Sequence, residues 1–239
     1  MFKKLKKIKR NRRFKKQFEE YKRLDTQQRF AMDWNERFPC LDDATSNTYF
    51  DTHYIYHPAW AARILKKTMP EYHVDISSSL HFVTLVSAFV PVKFYDFRPP
   101  KLYLDNLTTD FIDINKLCFE DESVSSISCM HVVEHIGLGR YGDALDPEGD
   151  MKAIAELKRV LAKGGSLMFV VPVGRPRIMY NAHRIYSYGQ ILEYFSDLHL
   201  EEFSLVPDDA FEKGIINNAT KEDADVQSYG CGCFWFKKP

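Results

Sequence analysis

Residues 124–173 read VSSISCMHVVEHIGLGRYGDALDPEGDMKAIAELKRVLAKGGSLMFVVPV. VSSISCMHV (124–132) is the apolar run of a strand. EGDMKAIAELKRVLAKGG (148–165) carries helical spacing and ends on the stop signal Gly164-Gly165, and SLMFVVPV (166–173) is a strongly apolar strand. The same rhythm continues outward. Upstream, HVDIS (73–77), VKFYDF (92–97) and LTTDFIDI (107–114) read as strands, with SLHFVTLVSAF (79–89) as a buried helix. Downstream, YSYGQILEYFSDL (186–198) reads as a helix, and LEEFSLVP (200–207) and CGCFWF (231–236) as strands. Strands alternating with helices predict a three-layer α/β domain with a mainly parallel sheet.

The 239 residues are 45% hydrophobic and 28% charged, enough for one domain with a full core plus a helical extension, and this excludes a disordered chain. All 11 glycines lie at or after Gly137. No Walker loop or GxGxxG can therefore exist in the first 136 residues. Five scattered cysteines (Cys40, Cys118, Cys129, Cys231, Cys233) without a CxxC pair point to a reducing compartment, with the cytoplasm as the expected location. The longest apolar run, residues 82–92, is too short to span a bilayer, and the N-terminus lacks the apolar region and cleavage site of a signal peptide.

Charge is divided unevenly. Residues 1–24 hold 12 Lys/Arg against 2 Asp/Glu, while the remainder holds 21 against 31. Leu5, Ile8, Phe14, Phe18, Tyr21 and Leu24 recur at spacings of mostly three and four, predicting a basic amphipathic helix over 1–24 with an interruption near Asn11. Two readings stand for it: contact with an anionic membrane surface, leaving the protein peripheral to the membrane, or a solvated helix folded back on the acidic body. Nucleic acid is not an expected partner of the body, whose negative charge repels phosphate. Residues 25–72 form a helical, aromatic cap region, in which Pro58 is expected at the first turn of a helix reaching Met69. Tyr49, Phe50, Tyr54, Tyr56 and Trp60 either cap a pocket or simply pack.

In a doubly wound sheet, ligands bind outside the carboxyl ends of the strands. Those ends carry Asp75 followed by Ser77, Ser78 and Ser79, then Asp96, Asp113 with Ile114, His131 with Glu134 and His135, and Arg175. Asp96 falls 21 positions after Asp75, where a carboxylate that accepts from both hydroxyls of a ribose is placed in such folds.

The succession VDISSS (74–79), VKFYDF (92–97), DFIDINKLCFEDESVSSISCMHVVEHI (110–136) and LKRVLAKGGSLMFVVPV (157–173) resembles the class I S-adenosylmethionine-dependent methyltransferases. It is the branch with an LPF, EHI and LKPGG pattern, and the chain is also similar to a domain-of-unknown-function branch with bacterial and nematode members. The resemblance covers residues 73–173. It implies a Rossmann-like methyltransferase domain over 73–239, with a mostly parallel seven-stranded sheet, an N-terminal helical extension and S-adenosyl-L-methionine as cofactor. It further implies residues 75–79 under the methionine part, Asp96 at the ribose, Asp113 and Ile114 at the adenine, and His131 near the transferable methyl. The family usually has glycine in the loop after the first strand, where residues 77–79 are serines. It also has aspartate where Ser125 stands. Serine keeps that loop small and adds hydroxyls toward the cofactor's carboxylate, but restricts the backbone.

The expected acceptor is a small or sugar-like anionic molecule, with a glycan precursor suggested by the basic arm together with the family resemblance. Arg175, Arg177, Asn181 and Arg184 follow the fifth strand and suit a phosphate or carboxylate. His183, His135 and Glu134, in that order, are the candidates to take the acceptor's proton. A non-catalytic binding module docked through the basic helix is the rival reading. His131-Val-Val-Glu134-His135 also matches the HxxEH pattern of zinc hydrolases, which works only on a helix. No metal site is expected: Cys231 and Cys233 share one face of a strand, with no further ligand near them in sequence.

Overall fold

The computed structural model describes residues 2–239, with residues 2–5 and Lys7 as backbone only. The chain divides into two compact units, Met1–Phe50 and Asp51–Pro239. In the first, helix α1 (Phe2–Leu24) runs through Asn11 without the expected interruption. Phe14 and Phe18 are its half-buried positions. Their ring centroids lie 5.8 and 5.0 Å from that of Trp34, whose other contacts include the Arg37 guanidinium at 4.4 Å.

The second unit opens with α2 (Thr52–Thr68), β1 (His73–Ile76), α3 (Leu80–Val86), β2 (Val92–Asp96), β3 (Leu107–Phe111) and β4 (Val124–Met130). There follow α4 (Gly149–Val160), β5 (Leu161–Val173), β6 (Arg177–Met179), β7 (His183–Ile185) and α5 (Tyr188–Tyr194). It closes with β8 (His199–Val206), α6 (Ala210–Lys213), α7 (Lys221–Asp225) and β9 (Gly230–Lys237). Seven strands form one sheet in the order β3-β2-β1-β4-β5-β9-β8. The first five of these are parallel, and β9 runs antiparallel between β5 and β8. This is the mostly parallel seven-stranded sheet expected from the alternation.

Strand β5 explains the three layers. Leu167, Phe169, Val171 and Val173 face α4, α5 and α7, whereas Met168 and Val170 face α2 and α3. A strand covered on both faces must be apolar at every position, which is why SLMFVVPV does not alternate. Strand β9 repeats this with Phe234 and Phe236 on one face and Cys231, Cys233 and Trp235 on the other.

Three boundaries differ from those expected. Helix α2 starts six residues earlier, because Asp51 accepts from the Tyr54 N–H and caps it. Pro58 thus lies inside the helix. The α/β body consequently begins at Asp51 instead of residue 73, with α2 packed on α3, β8 and β9. The helix before β5 stops at Val160, and Gly164 and Gly165 lie in the extended start of β5. There Gly164, at φ +72°, donates to the Lys238 carbonyl at 2.8 Å.

Candidate active site

A cavity of about 520 Å3 opens at the carboxyl ends of the parallel strands. Its walls include residues 77–79 after β1, Asp96 and Arg98 at β2, residues 112–115 beyond β3, His131 and His135 beyond β4, and the loop 137–146. Ser77, Ser79, Asp96, Asp113, Ile114, His131 and His135 are thus brought to one space, as the sequence predicts. Tyr54, one of the aromatics expected either to cap a pocket or to pack, also lines it, as does Tyr141, to which nothing in the strand-end reading pointed. A weak signal did exist: Gly137, Gly139 and Gly142 lie close together and all adopt positive φ. They shape a loop around Asp143, whose carboxylate accepts from the Gly137, Gly139 and Tyr141 N–H groups at 2.8, 3.2 and 3.1 Å.

Asp75 is the exception among the strand-end acids. It is fully buried, accepting from the Ser128 hydroxyl and from the Ser78 N–H at 3.0 Å. Ser128 in turn stands 2.8 Å from His73 Nε2, while His73 Nδ1 stands 2.8 Å from Ser126 Oγ. Because the Ser128 proton points to Asp75, its oxygen accepts from His73 Nε2–H, so Nδ1 accepts from Ser126. Burial pushes the Asp75 carboxyl up to about 6 and the His73 imidazole down to about 3. Asp75 supports the loop from beneath, through Ser78 and Ser128, and is not among the residues that line the cavity. The serine loop is likewise engaged with the protein. Ser77 sits at φ +56°, where glycine is the easy residue, and its hydroxyl donates to the Tyr95 carbonyl. The Ser78 hydroxyl oxygen accepts from the Met130 N–H at 3.1 Å, and that of Ser79 accepts from the Phe82 N–H at 3.3 Å, capping α3. Asp96 accepts from the Arg98 N–H at 2.7 Å and Asp113 from the Asn115 N–H at 2.9 Å, each through one oxygen.

His131 adopts φ +58° just past β4, and only residues 133–135 form a 3-10 turn. No helix presents His131 and His135 on one face, which overturns the HxxEH zinc-hydrolase reading. Both instead approach one buried carboxylate: Glu134 Oε1 lies 2.8 Å from His131 Nδ1 and 3.7 Å from His135 Nε2. Burial raises the Glu134 carboxyl, but the His131 hydrogen bond and the two imidazoles outweigh this and hold it below its ordinary value. His135 Nδ1 donates to the Ala182 carbonyl at 2.6 Å, so Nε2 is the nitrogen able to take a proton.

The segment that carries Arg177, Asn181 and Arg184 forms the hairpin β6–β7. Arg184 is buried, with its guanidinium on the Ile136 carbonyl at 2.6 Å, the Pro147 carbonyl at 3.3 Å and Asp150 at 3.5 Å. It ties the hairpin to the body and does not line the cavity. Arg177 spans the Arg175 and Ser228 carbonyls, and neither it nor Arg175 or Asn181 lines the cavity. His183 also stands off the wall, stacked on Tyr229 at 4.8 Å with its ring 6.3 Å from that of His135. Burial lowers its pKa.

A family model described as "Caenorhabditis protein of unknown function, DUF268" matches residues 109–201. No curated protein matches the sequence. Among solved structures, the chain is similar to the 1,6-didemethyltoxoflavin-N1-methyltransferase of Burkholderia thailandensis, solved with 1,6-didemethyltoxoflavin and S-adenosylhomocysteine. Identity is 11%, coverage 77% of this chain and 79% of that one, and the TM-score 0.54. It is similar also to a chain of the Haloferax volcanii complex containing the Trm112 methyltransferase activator (18% identity, 79% and 90% coverage, TM-score 0.53). A third neighbour is the [4+2]-cyclase SpnF (12%, 76% and 80%, 0.50). At these identities what is shared is the fold, and it is that of the class I S-adenosylmethionine-dependent methyltransferases.

Proposed function

We propose that the chain is an S-adenosylmethionine-dependent methyltransferase acting on a small or sugar-like anionic acceptor, a glycan precursor being one such molecule. The observation that carries this reading is the convergence of Ser79, Asp96, Asp113, Ile114 and His131 on one strand-end cavity. Its volume suits a cofactor of nucleoside-plus-amino-acid size. The donor set fits as well. One oxygen of Asp96 is held by the Arg98 N–H, which fixes the carboxylate to receive ribose hydroxyls. Ile112 and Ile114 offer an apolar wall for adenine, and the Ser79 hydroxyl proton is available to a carboxylate. When bound, the cofactor supplies a methyl group activated on a sulfonium.

The chain's own residues orient the acceptor and accept its proton. His135 is the proposed base, because it lines the cavity and its Nε2 is the unprotonated nitrogen. Glu134, 3.7 Å away, steadies the imidazolium that forms. Arg140, 3.3 Å from His135 through Nη1, is the cation at this rim that an acidic acceptor would meet, in place of the hairpin arginines. The test is transfer from methyl-labelled S-adenosylmethionine to a small-molecule extract separated by charge. Label should enter an acidic, low-mass fraction with the wild-type protein, and this should fall by tenfold or more in His135→Gln, since general-base catalysis contributes about 10²–10⁴-fold. Label remaining wholly on the donor would overturn the proposal.

The N-terminal unit is proposed to dock on an anionic membrane surface. Its support is the exposure of the α1 cations whose side chains the structure describes, from Lys6 and Lys9 to Lys22 and Arg23. Among the described residues, no helix is long and apolar enough to cross a membrane.

A further inference from the structure

His53 and His57 stand one turn apart on α2, the spacing that puts two imidazoles on one face of a helix. Facing them are His131, just past β4, and Cys231 in β9. One ligand atom from each of His53, His131 and Cys231 lies within 4.8 Å of the other two, and all three residues are buried. His57 is fully buried beside them, its ring centroid 5.0 Å from that of His131.

The hydrogen bonds of these rings leave a pattern that packing does not explain. His57 Nδ1 donates to the His53 carbonyl at 2.6 Å, and His131 Nδ1 to Glu134 at 2.8 Å. In each ring Nε2 is then a bare lone pair, and both Nε2 atoms are buried without a hydrogen-bond partner. Orphaned buried acceptors are costly and rare. The Tyr229 backbone hydrogen-bonds the His53 ring. A carboxylate or carbonyl on the far nitrogen is the outer shell that orients metal-bound histidines.

The geometry points to a divalent transition-metal site in which His53, His131, Cys231 and His57 hold zinc or its cobalt surrogate. Imidazole and thiolate donors select this class of ion over magnesium or calcium. His53, His131 and Cys231 already present donors within 4.8 Å of one another, and bonds of about 2.0–2.3 Å to one ion draw His57 in as the fourth. The His53 and His131 rings, 12° from parallel, turn about their Cβ–Cγ bonds to meet the ion. The ion would fasten α2 to the ends of β4 and β9, next to the cavity wall that His131 supplies. The sequence reading expected no metal because these ligands are 78 and 100 positions apart along the chain and meet only in the fold.

The test is a cobalt titration of the full-length, tag-free protein after chelator treatment. One cobalt per chain is expected, with tetrahedral d–d absorption and a near-ultraviolet thiolate-to-cobalt band. The band should vanish in Cys231→Ser and persist in Cys233→Ser, and Glu134→Gln should weaken binding by about 10–100-fold. Circular dichroism reports whether each variant is folded. If Cys231→Ser does not fold, the wild-type spectrum decides. Failure of the folded wild type to bind stoichiometric cobalt, or a thiolate band that survives Cys231→Ser, overturns the site.

Discussion

Asp75, Asp96 and Asp113 look alike in the sequence, each an acid at a strand end, yet the fold separates them. Asp96 ends β2 and Asp113 follows β3, so both reach the cavity. Asp75 is still inside β1, paired in register with Phe94 and Ser128, and its side chain enters the polar chain with Ser128, His73 and Ser126. The sequence told which residues are acids near strand ends. It could not tell a one-residue difference in where a strand stops, and that difference decides whether the carboxylate reaches the cavity or stays beneath it.

Asp75 and His73, joined through Ser128, pull stability in opposite directions. The folded Asp75 value lies above its ordinary 3.8, so its contribution is full below pH 3.8 and is lost as pH rises toward 6. At about 1.4 kcal/mol per pH unit this amounts to about 3 kcal/mol for a fully buried group. The folded His73 value lies below 6.5, so its contribution is full above that pH and is lost as pH falls toward 3. Asp75→Asn removes only the first effect. Relative to wild type, the variant is expected to gain about 2 kcal/mol between pH 4 and pH 7 in denaturant unfolding. A difference that stays constant across that range would show that Asp75 does not titrate as described.

Among the elements, the helices and strands of residues 73–206, other than the hairpin β6–β7, were legible because their periodicity reports which faces are covered. The boundaries were less so. Gly164 and Gly165 resemble a helix end, but the strand pairing of Leu161 with Val124 and of Ser166 with Lys237 draws the segment into β5. The loop 137–146 was not legible as a cavity wall, since its shape rests on backbone donors converging on Asp143. Gly137 is its most constrained point. It adopts φ +78°, and a Cβ there would stand 2.0 Å from the Asp146 carbonyl oxygen. Gly137→Ala should therefore destabilise the protein by more than about 1 kcal/mol, because neither the backbone angle nor the space tolerates a methyl group. A denaturant midpoint equal to that of wild type would contradict this account of the loop.

For the molecule as a whole, the charge division and the fold rhythm were both present in the sequence, whereas the contents of the site were only half visible. His53, His57 and Tyr54 come from a helix outside the strand-end logic, and Arg177 and Arg184, which looked like substrate ligands, are bound to carbonyls. Membrane docking through α1 is tested by flotation with phosphatidylserine-containing vesicles. Full-length protein should float with them at low salt and lose binding as ionic strength rises, and removal of residues 1–24 should abolish flotation. Equal flotation with neutral vesicles would remove the charge-based reading.

The cofactor cavity is the centre of the account, and calorimetric titration with S-adenosylhomocysteine addresses it most directly. The account predicts one binding site per chain in the wild-type protein. Asp96→Ala should weaken binding by about tenfold or more, as expected for loss of a charged hydrogen-bond acceptor. A folded wild-type protein that takes up no S-adenosylhomocysteine, or an Asp96→Ala variant that binds it equally well, would contradict the account.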